Sequence, residues 1–175
     1  MRDLRVVDIA RAVGTSPATF YQYFRDVEEA VLALAEEVGE DLAPIGELLT
    51  QSWESNGLDA ARALVGQFLE YWDGHRAVLR IRNLAAQEGD QRFRDVRNES
   101  LRPLREGLAA KIEESQRAGR VTEQMQPMAA ASALAAMMER MAAFHTDLEP
   151  WGVNRDDLVA TTAWIIYQTV TGAVR

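Results

Sequence analysis

Side chains able to do chemistry are sparse in this 175-residue chain, and they gather near its start. Thr15, Ser16, Thr19, Gln22 and Tyr23 place hydroxyls and one amide within a short span. Such groups hydrogen-bond phosphate oxygens and base edges. Thr15 and Ser16 stand where a helix should begin, and a helix N-terminus is a natural phosphate seat. A Gln22 amide facing outward can pair with adenine. The catalytic vocabulary is missing. There is no Gly-x-Ser-x-Gly elbow, phosphate-binding glycine loop or His-Glu-x-x-His, and no spacing of Ser, His and Asp supports a triad. Cysteine is absent, which removes disulfides and thiolate metal sites and suits a reducing cytoplasm. His75 and His145 are the only histidines, and neither has a partner at ligand spacing. No catalytic residue, metal or cofactor is therefore expected.

The elements that must position these groups follow from spacing. Val6, Ile9, Ala10 and Val13 recur at helical period and predict one apolar face. Gly14 interrupts them with a residue that tolerates a left-handed turn. Ser16 is a good N-cap, and Pro17 sits at the first helical position, where a missing N–H costs nothing. Phe20 and Phe24 face inward, leaving Thr19, Gln22 and Tyr23 to point elsewhere. Helix, glycine turn, helix reads as a helix-turn-helix whose second helix enters a DNA major groove.

The run Asp8-Ile9-Ala10, Gly14-Thr15-Ser16, then Thr19-Phe20-Tyr21-Gln22-Tyr23-Phe24 resembles the DNA-binding signature of TetR-family transcriptional regulators. The resemblance covers about the first 45 residues; beyond them it rests on size and an all-helical layout. It implies that Pro17, Ala18, Thr19, Tyr21 and Tyr23 touch bases or phosphates. Two positions depart from the family pattern: Val27 replaces a common lysine, with Arg25 as a substitute phosphate contact, and Val7 replaces a common arginine. The family also has a helix ahead of this motif, whereas this chain starts only about five residues before it. The expectation is an N-terminal truncation that removes the first family helix.

Charge distribution agrees with a DNA reader when taken locally. Net charge is −8, yet residues 1–25 carry four arginines against Asp3 and Asp8. Residues 26–49 carry eight acids and no base, either a deterrent to wrong docking on DNA or simply a solvated helix face. The arginines at 92, 94, 97, 102 and 105 have acids nearby and read as a solvated face. There is no signal-peptide pattern. The longest uncharged run, Leu158 to Val174, falls short of the ~20 mainly apolar residues of a membrane span and reads as a helix buried in protein.

The rest of the chain predicts helices only. Asp26 caps one with Val27, Ala30, Val31, Leu34 and Val38 as its stripe, kinked or ended near Leu42 by Pro44 and Gly46. In the family this helix joins DNA-binding domain to body. Leu58–Trp72 and 75–87 read as two helices, 91–118 as a long one kinked or broken at Pro103, and 127–144 as another. Residues 150–152 read as a loop before the final helix. The expected fold is all-α, with residues 1–45 as the helix-turn-helix domain and 46–175 as a ligand-binding and dimerisation domain.

The last two helices carry more apolar surface than one body layer needs, which predicts burial against a second copy. The resemblance implies a four-helix dimer interface, here through Leu134, Met138, Trp164 and Ile165. The bland alternative is a monomer core with methionines as gap fillers. Large apolar residues also suit a cavity for an apolar small molecule, with Phe68, Trp72, Met137, Met141, Phe144 and His145 as candidates. The expected protein is a cytoplasmic homodimeric repressor. It would bind a palindromic double-stranded DNA operator, be released by an unknown effector, and have no membrane partner. The alternative is a dimeric interaction protein whose helix-turn-helix no longer binds DNA.

Overall fold

The computed structural model describes residues 5–53 and 55–173. Arg2 and Asp3 of the N-terminal charge count, and Val174 at the end of the uncharged run, lie outside the described residues. Helices are the only regular elements among the described residues. The first two, α1 (Val6–Ala12) and α2 (Pro17–Tyr23), are short and pack on each other. Gly14 joins them at φ 69°, and the Thr15 N–H closes the turn on the Ala10 carbonyl at 2.8 Å. Ser16 Oγ caps α2 by accepting from the Thr19 N–H at 3.1 Å. Ala10 and Phe20 are the buried residues of this pair. Val13, expected on the apolar face, is 70% exposed because the chain leaves the helix there.

Helix α3 (Val27–Glu40) starts at Asp26, whose carboxylate accepts from the Glu29 N–H at 2.8 Å. Glu29 completes the start differently from a capping box, bonding the Arg25 N–H at 2.6 Å. Val31, Ala35 and Val38 are buried, whereas Leu34 of the expected stripe turns to solvent. The helix ends near Leu42 as Pro44 and Gly46 predict, but the chain makes one more short helix, α4 (Ala43–Glu47).

The body is made of α5 (Gly57–Gln87), α6 (Gln91–Arg117), α7 (Pro127–Phe144) and α8 (Arg155–Thr171), with a 3-10 turn at His145–Trp151 where a loop was expected. The two helices expected at 58–87 meet at a kink within α5: His75 is non-helical (φ −119°, ψ 15°), just past the expected break at Asp73-Gly74. By contrast, α6 runs through Pro103. The main core lies among α5, α6, α7 and α8, around Leu64, Phe68, Trp72, Leu104 and Ile166. A smaller core of Val31, Ala85, Ala86 and Phe93 ties α3 to the end of α5 and the start of α6.

Absent side chains let α6 come close to α3 and α4. A Cβ at Gly39 would lie 3.1 Å from Ser100 Cβ, one at Gly46 3.2 Å from Pro103 Cβ, and one at Gly107 2.8 Å from Leu49 Cβ. Ion pairs on two residues, His75 and Asp73, fasten the break in α5. His75 Nε2 lies 3.3 Å from Asp41 at the end of α3. Asp73 takes Arg76 at 2.7 Å, His145 at 2.8 Å and Arg155 at 2.7 Å, joining α5, the 3-10 turn and α8. Partial burial works against the Asp73 charge, but hydrogen bonds from Arg76, His145 and Arg155 outweigh it and lower its pKa to about 2.

Candidate functional site

Three surfaces stand out, and the first is the outer side of α2. Thr15, Ser16, Pro17, Ala18, Tyr21, Gln22, Tyr23 and Arg25 are exposed, and Thr19 is half-buried. Tyr21 and Tyr23 are 60% and 75% exposed, unusual for aromatic rings. Phe20 is buried beneath them, with its ring 5.5 Å from that of Phe24. Helical spacing turns Phe20 in and the tyrosines out. The Ser16 and Thr19 hydroxyls bond each other at 2.9 Å, which leaves each with spare hydrogen-bonding capacity. Arg25 is engaged by Glu29, with Nε at 3.2 Å from both carboxylate oxygens. A phosphate would have to compete with that carboxylate.

The second surface is a cleft of about 530 Å³ between the second half of α5, the start of α6 and α7. It brings together Trp72 and Phe144 of the six expected ligand residues. The other four lie elsewhere. Phe68 is fully buried in the main core, Met137 and Met141 are partly buried against that core, and His145 is held by Asp73. In their place the cleft is lined by Arg80, Arg97, Glu139 and Arg140.

Glu139 is the anchor of this site. It is buried, and it takes two bonds from Arg97 and one at 3.4 Å from Arg82, itself 1% exposed. Asn83 adds a bond at 3.4 Å. Arg82 also donates to Ser100 Oγ at 3.0 Å, and Ser100 Oγ donates to the Arg97 carbonyl at 3.0 Å. Burial pulls the Arg82 guanidinium below its usual pKa, while Tyr71 and then the carboxylate of Glu139 oppose the shift. Arg97 therefore does more than face solvent as one of a run of arginines; it closes a network across three helices. Next to it, the Trp72 indole N–H is buried without a hydrogen-bond partner among the described residues. Such a group costs on the order of 1–3 kcal/mol. Burial also raises the Tyr71 pKa.

The sequence held a signal for this cleft. Neither Arg80 nor Arg140 has an acid three or four residues away on its helix, and Glu139 is the one acid in the alanine- and methionine-rich segment 127–144.

The body carries the further resemblance. The family model described as "Tetracyclin repressor-like, C-terminal domain" matches residues 45–174. The chain belongs to the TetR family. The match begins at residue 45, so α1 and α2 lie ahead of it. No curated protein matches this TetR-family chain. No helix among the described residues is long and apolar enough to cross a membrane.

The third surface of this TetR-family regulator is the outer side of α7 and α8. Of the four residues expected to bury against a second copy, Leu134 and Met138 are 6% and 1% exposed because they fill the chain's own core. Ile165 is 42% exposed and Trp164 half-buried. Ala129, Ala133 and Ala136 are the exposed small residues of α7 beside them.

Proposed function

We propose that the chain is a cytoplasmic, homodimeric, DNA-binding repressor that leaves a palindromic operator when a small molecule binds its body. Residues 1–45 read the DNA, and 46–175 bind the effector and the second copy. The observation that carries this is the outer side of α2: Tyr21, Gln22 and Tyr23 exposed over a buried Phe20, in a chain whose body matches the TetR family. Thr15, Ser16, Pro17, Ala18 and Thr19 stand at the N-terminal end of that helix, where phosphates and a thymine methyl are within chemical reach. Short side chains dominate, so affinity rests on phosphate contacts and groove shape more than on bidentate base readout.

Two such helices enter successive major grooves about 34 Å apart. The exposed alanines of α7, with Trp164 and Ile165 of α8, are the surface for the second copy. The effector acts by its differential affinity for the state whose α2 helices no longer match the groove spacing.

Fluorescence anisotropy on duplex DNA from upstream of the gene, titrated with salt, tests this. Binding should be sequence-dependent, and log affinity should fall linearly with log salt at a slope of about −0.9 per phosphate contacted. Tyr23→Ala should weaken binding about tenfold while the dimer stays folded by circular dichroism. Affinity equal to wild type would remove Tyr23 from the contacts.

A further inference from the structure

The α5–α6–α7 cleft has a charge opposite to that of the chain. Net charge is −8, but Arg80, Arg97 and Arg140 line this cleft against one carboxylate, Glu139. That carboxylate is already shared by Arg97 and the buried Arg82. Arg80 and Arg140 have no carboxylate partner among the described residues. Arg140 is nonetheless held in place, its Cζ 3.8 Å from the Phe144 ring centroid. A cation–π contact positions a guanidinium without cancelling its charge.

The apolar side of the cleft is equally marked. Phe144 and Leu84, 40% and 51% exposed, present an aromatic ring and an aliphatic side chain, with the almost fully buried Trp72 behind them in the lining. The volume of about 530 Å³ suits a small organic molecule. A bare inorganic anion would meet the arginines and leave the apolar lining uncovered. A neutral hydrocarbon would cover the apolar lining and leave two cations unmet.

We infer that the cleft takes a small aromatic carboxylate, its charge paired with Arg80 and Arg140 and its ring against Phe144 and Leu84. This rests on the reading of the chain as an effector-controlled regulator and specifies the chemical class of that effector. Guanidinium–carboxylate hydrogen bonds are the strong, geometrically selective kind, so the acid group supplies recognition and the ring supplies burial.

The test is isothermal titration calorimetry of the full chain with 2-naphthoate, its uncharged methyl ester and inorganic phosphate. The acid should bind one per chain, at least tenfold tighter than the ester, and phosphate should not displace it. Arg80→Gln and Arg140→Gln should each weaken naphthoate roughly tenfold. Both side chains are exposed, so the thermal midpoint should not move. Equal binding of acid and ester overturns the inference, as does an unchanged naphthoate affinity in the double variant. Loss of dimerisation in Arg80→Gln without any naphthoate heat also overturns it, by giving the cationic rim to the second copy. DNA affinity measured on the same preparations separates the two readings. DNA binding without naphthoate binding overturns the effector class and leaves the regulator standing. Naphthoate binding without DNA binding supports the site and removes the regulator.

Discussion

The α1–α2 pair and the body are held together in different ways. Among the described residues, α1 and α2 together bury Ala10 and Phe20, whereas α5 alone buries twelve side chains or glycines. Helices of seven residues are below the length at which a helix persists by itself, so each local device counts in the pair: the Gly14 turn, the Ser16 cap, Pro17 at the first helical position. In the body, tertiary burial can override local rules, and α6 passes Pro103 without ending. A thin region keeps its side chains free for a partner, and a dense one keeps its shape.

The largest effect should come from Glu139→Ala. It leaves Arg82 buried with no carboxylate partner, and it should cost about 3–5 kcal/mol in urea unfolding. Phe20→Ala is the sharper probe of the comparison. It should abolish amide-exchange protection in α1 and α2 and lower DNA affinity more than tenfold, while the body's unfolding midpoint stays put. A fall in that midpoint matching a core truncation would break the comparison, since pair and body would then unfold as one unit.

Ser16→Ala should cost about 1 kcal/mol of α2 stability, read by local hydrogen exchange. Acid should have the smallest effect. Asp73 has a folded pKa near 2, below its ordinary value of 3.8, so its ion pairs stabilise fully above about pH 4. That contribution is lost as pH falls from 4 toward 2. Asp73→Asn should flatten the melting temperature across that window.

Helix ends set by local chemistry were legible in the sequence: Pro127 to Phe144 agrees with α7 at both ends, and Asp26 caps α3 as its position suggests. The family was legible from the aromatic ending of the motif, although the match that establishes it covers the body. Less visible was whatever depends on contacts between distant helices. Periodicity places Leu134 and Met138 on an apolar face without saying that the chain's own core fills it. It cannot show that Arg97 reaches Glu139 across 42 residues while Arg80 and Arg140 reach no acid among the described residues. Nor does it show that, of the six residues expected at a ligand, only Trp72 and Phe144 line this cleft.

The glycine notches along α6 have a mechanical consequence. Ser100 and Pro103 face Gly39 and Gly46, and Leu49 faces Gly107. These are teeth in gaps, and meshed teeth leave little backlash. Ser100 is also bonded to Arg82 and to the Arg97 carbonyl, at the cleft. A shift of α6 there would reach Gly39 as backbone displacement, because no long flexible side chain stands between to absorb it. The fourteen residues of α3 span about 20 Å, so a small rotation at its Gly39 end would be a larger displacement at Val27, four residues past Tyr23.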